Sequence, residues 1–270
     1  MECEICGFNN PKGTATAIVI QDGKLLLLKR NEEPYKDQWD LPGGYMSKGE
    51  MPEETLRKEL KEELGVDCNL DFINWFPGTA IWKDKKYAIL SHAYLAEFKG
   101  EINLNKTENS ELQWVPLQEV DPNTIAFDSN QAIVRFVKEK FSIDLRQLTK
   151  LISQLDSSTE VREINYYRSV LNGYVSKKIV DGELVGLGWI FPRRTLSRKQ
   201  AVVEDMIVDD SERGKGYGKE ILLDLLLLAK ENGVEMIELT ILSHRIAANE
   251  LYKKVGFQLH PTNHYLYKVL

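Results

Sequence analysis

Residues 44–66 read GYMSKGEMPEETLRKELKEELGV, and the spacing of their carboxylates constrains the chain more than any other feature. Glu59, Glu62 and Glu63 lie three and four residues apart in a segment of helical periodicity, so at about 100° per residue they share an arc of roughly 100°. Like charges on one arc repel, and a helix gains nothing from them unless a cation collects them. Oxygen-only donors suit Mg²⁺ or Mn²⁺, ions commonly bound through a few carboxylates together with substrate phosphates. Leu56, Leu60 and Leu64 form an apolar stripe at i, i+4 and i+8, flanked by Glu59 and Glu63, with Glu62 further round. The acidic side chains are therefore expected at the rim of a buried face. Ahead of the helix, Leu41-Pro42-Gly43-Gly44 predicts a turn whose backbone can approach a ligand closely. Pro52 suits the first helical turn and Gly65 the C-terminal cap.

This segment resembles the Nudix box, matching it at Gly44, Glu50, Glu59, Leu60, Glu62, Glu63, Gly65 and Val66. Lys58 stands where the family has an arginine. That arginine braces a catalytic glutamate through a planar two-pronged contact, whereas lysine offers a point charge. The resemblance implies an α/β/α sandwich and a catalytic Mg²⁺ (or Mn²⁺) held by Glu59, Glu62, Glu63 and the Gly44 carbonyl. It also implies a pyrophosphohydrolase acting on a nucleoside diphosphate-linked substrate. The chemistry agrees: divalent ions neutralise diphosphate oxygens, orient the linkage and lower the pKa of a bound water. One of the three glutamates, or a carboxylate elsewhere, takes the water's proton, with Glu108 and Glu111 as outside candidates. Segments that mark the family's NADH pyrophosphatases and coenzyme A hydrolases are absent, so the substrate stays open.

At 270 residues the chain has room for two domains. Hydrophobic content of 43% with 28% charged residues is that of a soluble globular protein. No apolar run has the length of a membrane span, and the N-terminus has no basic-then-apolar leader. Three cysteines make no disulfide framework, so a cytoplasmic location without membrane association is expected. Residues 1–140 carry 17 Lys and Arg against 24 Asp and Glu, while residues 141–270 carry 18 against 17. Neither half has the basic excess of a protein that binds nucleic acid polymers. Cys3 and Cys6 resemble one knuckle of a zinc ribbon, but a four-ligand site needs a second pair, and a structural turn is the expected role.

Within residues 1–140, runs at 14–20 and 24–29 separated by Asp22-Gly23 predict a hairpin. Further strands are expected at 69–76, 87–98 and 111–116, and a helix at 130–140. In the second half, an apolar strand at 201–208 runs into Arg213-Gly214-Lys215-Gly216-Tyr217-Gly218 and then a helix over 219–232. Glycines let successive N–H groups face one way, and a helix N-terminus behind them makes an anion cradle for a pyrophosphate. A strand at 234–242 follows, then a segment containing Arg245, Asn249, Leu251-Tyr252 and Gly256-Phe257.

Residues 145–270 resemble the acyl-CoA-dependent N-acetyltransferases of the GNAT superfamily, through the Arg213-x-x-Gly216-x-Gly218 loop and the Leu251-Tyr252…Gly256-Phe257 block. The resemblance implies a mixed-sheet α/β domain that takes acetyl-CoA as co-substrate and acetylates an amine acceptor, which the residues do not identify. Met206, Ile207 and Val208 would pair with pantetheine. Arg213, Gly214, Lys215, Gly216, Tyr217, Gly218 and Lys219 would hold the pyrophosphate, and Asn249 would stand in for a family asparagine found where this chain has Arg245. Tyr252 would protonate the departing thiolate, with Glu204 and Asp205 the nearest bases. The family's opening strand has only residues 141–145 available and is expected to be short or missing. Arg193, Arg194, Arg198 and Lys199 are expected in a solvated hairpin loop.

Together these features predict a mixed α/β protein with a Nudix hydrolase domain at 1–140 and a GNAT N-acetyltransferase domain at 141–270. A second reading makes the first domain a nucleotide sensor that regulates the transferase without hydrolysis.

Overall fold

The computed structural model describes residues 10–155 and 160–261, with Tyr265 and Tyr267. Cys3 and Cys6 lie outside the described residues. The strands of the first half are β1 (Lys12–Ile18), β2 (Ile20–Gln21), β3 (Lys24–Arg30), β4 (Trp39–Asp40), β5 (Gly43–Tyr45), β6 (Asp67–Trp82), β7 (Lys85–Lys99) and β8 (Asn109–Pro116). Its helices are α1 (Pro52–Leu64) and α2 (Asp128–Lys140), and α3 (Leu145–Ile152) and α4 (Glu163–Asn172) follow. Then come β9 (Tyr174–Val180), β10 (Glu183–Arg194), β11 (Lys199–Val208), α5 (Tyr217–Glu231), β12 (Met236–Leu239) and α6 (Ile246–Val255). One compact unit comprises Met1–Leu145 with Arg162–Leu171, the other Arg146–Val161 with Asn172–Leu270. No helix among the described residues is long and apolar enough to cross a membrane.

In the first unit one sheet has the order β5-β1-β7-β6, with β1 parallel to β7 and the other pairs antiparallel. Successive strand residues point to opposite faces. Ala15 and Ala17 of β1 and Tyr94 and Ala96 of β7 pack with Leu56, Leu60 and Leu64 of α1. Thr16, on the other face, meets Asn130 of α2 at 3.4 Å. The sheet is therefore covered on both sides, as the sandwich expectation requires. A second sheet joins β2, β3 and β4, with β8 antiparallel to β3.

Two differences from the sequence reading have physical causes. The hairpin around Asp22-Gly23 pairs β3 with the short β2 only, because the chain leaves the first sheet after Ile18 and β1 pairs elsewhere. The strand expected to stop at Phe76 runs on through Pro77 and Gly78 to Trp82. Pro77 is tolerated because β6 lies at the sheet edge, where a missing N–H costs no ladder bond. At Gly78 a Cβ would lie 2.4 Å from an Asp128 oxygen and 2.7 Å from Ser129, so the first turn of α2 needs a glycine there.

Residues 141–144 form no strand. Phe141 and Ile143 are buried instead, the Phe141 ring 4.6 Å from Tyr167 and the Ile143 N–H donating to the Tyr166 hydroxyl at 3.1 Å. The α4 helix holds its place in this unit through charge. Glu163 accepts from the Asp22 and Gly23 N–H groups at 2.7 Å each, and Arg168 pairs with Asp71 at 2.8 Å and Glu97 at 3.1 Å.

The second unit is built on a sheet of order β12-β11-β10-β9, parallel at β11–β12 and antiparallel elsewhere. Ile221, Leu225 and Ala229 of α5 pack on Ile190, Ala201 and Val203. Gly186 and Gly188 admit that helix, since a Cβ would lie 2.7 Å from Ile221 at the first and 3.0 Å from Ile221 and Leu225 at the second. Of the four basic residues expected in the β10–β11 loop only Arg198 lies there, because the strands run further than expected: Arg193 and Arg194 end β10 and Lys199 opens β11, with Arg194 opposite Lys199.

Candidate functional site

The Leu-Pro-Gly-Gly turn sets the first site. Gly43 has φ +137°, and a Cβ there would lie 2.1 Å from the Ala15 carbonyl oxygen, so only glycine lets β5 lie against β1. A Cβ on Gly44 would lie 2.4 Å from the Glu59 carboxyl carbon and 2.5 Å from one of its oxygens. The Glu59 carboxylate is thus seated on the space that the missing side chain leaves. Burial raises the Glu59 pKa first, followed by the charges of Glu62 and Glu108, while Lys58 opposes the rise. Glu62 is exposed.

Glu63 has a different environment. It is 7% exposed, accepting from the Gly43 N–H at 3.0 Å on one oxygen and from Asn109 Nδ2 at 2.9 Å on the other. Burial pushes its carboxyl up to about 8, against the pull of those two hydrogen bonds. Nearby, Asp40 accepts from Arg30 at 3.1 Å, from Asn130 at 2.7 Å and from the Leu41 N–H at 2.9 Å. Burial lifts Asp40 to about 6, chiefly opposed by the Arg30 charge.

The three box glutamates therefore divide: Glu59 and Glu62 share one electrostatic neighbourhood with Glu108, and Glu63 is turned inward. As they stand, no group of three or more His, Cys, Asp or Glu side chains among the described residues converges on a point that would hold a metal ion. The donor set nevertheless fits a hard divalent cation, because the Glu59 carboxylate lies against Gly44 and the charges of Glu50, Glu62 and Glu108 act on it, with Lys58 opposing them. Lys58 itself is 54% exposed and reaches Glu50 at 3.9 Å. Of the outside candidates, Glu108 acts on Glu59 through its charge, while Glu111 pairs with Lys29 at 2.8 Å. Asn109 escaped sequence reasoning altogether, as one asparagine in a polar loop carries no signal. A cavity of about 250 Å³ in the same unit is lined by Tyr35, Phe127, Thr79, Ile81, Asp128 and Gln131, among others, with the Tyr35 and Phe127 rings edge to face at 4.8 Å.

In the second unit β12 ends at Leu239 opposite Val203, so β11 carries Met206, Ile207 and Val208 beyond the last β12 pair. The β10–β11 register shifts between Leu187 and Trp189, and Asp205 there has φ +49°. The loop that follows needs glycine for its backbone, with φ +82° at Gly214 and +90° at Gly216 and no atom within 4 Å of either added Cβ. Helix α5 starts at Tyr217, two residues earlier than expected, so Gly218 and Lys219 belong to its first turn. Arg213 donates through Nε to the Val208 carbonyl at 3.2 Å, and Lys215 pairs with Glu212 at 2.9 Å. Asn249 spends its amide on the Leu242 and Arg245 carbonyls at 3.2 and 3.0 Å, bracing the turn into α6. Tyr252 is 9% exposed, and burial raises its pKa against the charge of Arg245. Burial also raises the pKa values of Glu204 and Asp205.

Residues 11–136 match the model of the NUDIX domain and residues 144–257 that of the Acetyltransferase (GNAT) family. A MutT-like protein of Streptomyces ambofaciens is 26% identical over 106 residues, 39% of this chain and 64% of its own length. An ADP-ribose pyrophosphatase of Methanocaldococcus jannaschii is 40% identical over 57 residues, 21% of this chain and 34% of its own length. The uncharacterized N-acetyltransferase YycN of Bacillus subtilis is 31% identical over 83 residues, 31% of this chain and 53% of its own length. The chain thus spans less than two thirds of each of these relatives. The box residues on α1 fall within the first match and the glycine loop and Tyr252 within the second, so the chain carries a NUDIX domain followed by a GNAT-family acetyltransferase domain.

Proposed function

We propose that the chain is a bifunctional enzyme, with a hydrolase domain at 1–140 that cleaves a nucleoside diphosphate derivative and a transferase domain at 141–270 that moves an acetyl group from acetyl-CoA to an amine. The observation that carries the hydrolytic half is the Glu59 carboxylate seated against Gly44, within the field of the Glu62 and Glu108 charges and opposed by Lys58. Glu59, Glu62 and the Gly44 carbonyl would hold Mg²⁺ or Mn²⁺, with Glu63 joining them or orienting the site. Such an ion supplies charge neutralisation and an acidified water. Glu108 or one of the box glutamates takes the water's proton. The aromatic and amide-lined cavity of the same unit suits the flat, hydrogen-bonding base of a nucleoside.

For acetyl transfer, the end of β12 short of Met206–Val208 supports that segment as the strand that pairs with pantetheine. The residues 213–219, with two left-handed glycines ahead of α5, support a pyrophosphate cradle. Tyr252, held in its protonated form by burial, is suited to give its proton to the departing thiolate. Glu204 and Asp205, whose burial raises their proton affinity, are suited to take one from the amine. Asn249 supports the cofactor region through the turn it braces. A cytoplasmic site of action fits both substrates.

A screen of nucleoside diphosphate derivatives with Mg²⁺, read by mass spectrometry of the products, tests the hydrolytic reading. Cleavage that disappears in Glu59→Gln while acetyl transfer persists is the expected result. Loss of both activities together in that variant would argue against two independent sites.

A further inference from the structure

Asn109 begins β8, far from the glutamate box in sequence, yet it is 5% exposed and its side chain ends on a box carboxylate. The loop that brings it there is fastened to α1. The Asn103 N–H donates to the Leu64 carbonyl at 2.8 Å and the Asn105 N–H to the Glu63 carbonyl at 2.7 Å, which satisfies the exposed end of the helix. The same loop is tied to β3 through Asn31, whose N–H donates to the Glu108 carbonyl at 2.8 Å and whose side chain donates to the Thr107 carbonyl at 3.1 Å. Asn109 is thus presented by a braced segment, not by a free side chain searching the surface.

Its target is constrained from both sides. Asn109 Nδ2 donates to Glu63 Oε1 at 2.9 Å, and the Gly43 N–H donates to Glu63 Oε2 at 3.0 Å. Two donors on two oxygens fix the carboxylate plane, and through it they fix the distance between α1 and β5. Gly43 is followed by Gly44, the residue on which the Glu59 carboxylate is seated. A movement of Glu63 is therefore passed to Gly43, then to Gly44, and so to the seat of Glu59.

We propose that Asn109 is a positioning residue of the hydrolytic site, holding Glu63 so that β5 and the α1 carboxylates keep the geometry that receives a divalent cation. The proposal rests on the metal-dependent hydrolase reading. Without the amide, Glu63 keeps only its Gly43 partner and can rotate, and the Gly44–Glu59 contact loses its support. Outer contacts of this kind are typically worth about 10–100-fold in metal affinity or activity.

The test uses the full chain and Mn²⁺ alone as the probe, titrated by electron paramagnetic resonance without substrate. Asn109→Leu removes the donor with the same heavy-atom branching, and Asn109→Asp keeps the shape while replacing the donor by an acceptor. The expected result is Mn²⁺ binding at least about tenfold weaker, with kcat for hydrolysis down by a similar factor. Substrate KM and acetyl transfer stay near those of the parent, and the melting temperature falls only by what the loss of one buried hydrogen bond costs, with the variant still folded at the assay temperature. Should Asn109→Leu fail to fold, Asn109→Asp carries the same comparison. Parent-like Mn²⁺ affinity and kcat in folded Asn109→Asp overturns the positioning role alone. Activity loss that only follows loss of folded protein, with unchanged Mn²⁺ affinity per folded molecule, overturns it as well. Absence of Mn²⁺ uptake by the parent overturns the metal reading and the positioning role together.

Discussion

Gly44→Ala separates the needs of the fold from the needs of the site. The new Cβ would lie 2.4 Å from the Glu59 carboxyl carbon and 2.5 and 2.8 Å from its oxygens. Ordinary contact requires about 1 Å more than this, and the obstructing group is the free end of a flexible side chain. The fold yields by turning Glu59 away, at a cost of about 0.5–1.5 kcal/mol for a displaced rotamer. The chemistry has no such freedom. Misplacing a positioned group by about 1 Å costs on the order of 100-fold in rate, or about 2.7 kcal/mol of transition-state stabilisation. Gly43→Ala is the contrasting variant, because its Cβ would lie 2.1 Å from the Ala15 backbone oxygen at φ +137°, where neither partner can give way. Initial rates of Mg²⁺-dependent cleavage, melting curves and acetyl transfer are measured for both. Gly44→Ala should melt near the parent, transfer acetyl groups normally and hydrolyse about 100-fold more slowly. Gly43→Ala should lower the melting temperature of its unit. Hydrolysis by Gly44→Ala within about threefold of the parent, or melting as low as that of Gly43→Ala, refutes the seating of Glu59 on Gly44.

Glu163→Ala leaves the Asp22 and Gly23 N–H groups without their 2.7 Å acceptors and should destabilise the first unit by about 1–3 kcal/mol in urea titration. Unchanged stability would show that water replaces the carboxylate fully. Tyr252→Phe should lower kcat for acetyl transfer by about 100-fold and leave acetyl-CoA binding intact, and equal kcat would remove Tyr252 from proton transfer. Asp209 accepts from the Ser211 hydroxyl at 2.6 Å and from Gln154 at 2.8 Å, and these bonds lower its pKa from 3.8 to about 2. A depressed carboxylate stabilises the fold above its unfolded pKa and loses that contribution as pH falls through its folded one. The thermal stability of the parent should therefore fall relative to that of Asp209→Asn from pH 3.8 down to about 2, and a constant difference would refute it.

Both candidate sites were legible in outline because their signals are local. The α1 glutamates lie on one face by the geometry of a single helix, and structure keeps Glu59 and Glu63 at the rim of the leucine stripe as that geometry requires. The glycine loop was equally legible, since a left-handed backbone at Gly214 and Gly216 is a demand that one residue type meets best. Element types were read correctly for most of the chain, whereas ends were not. The β6 strand passes Pro77 because it is an edge strand, a fact of sheet order that no short window of sequence contains.

What the residues alone determined was the chemistry on offer: carboxylates at helical spacing, a glycine-rich turn between a strand and a helix, and a tyrosine in the block that follows. Tertiary structure decided which of those groups act together. It turned Glu63 inward onto an asparagine 46 positions away, brought the Glu108 charge to bear on Glu59 but sent Glu111 to Lys29, and used Asn249 to brace a turn. Spacing along a helix or loop is fixed by covalent geometry, but a hydrogen bond between distant segments exists only after the sheets and helices have packed, and burial then sets which charges persist.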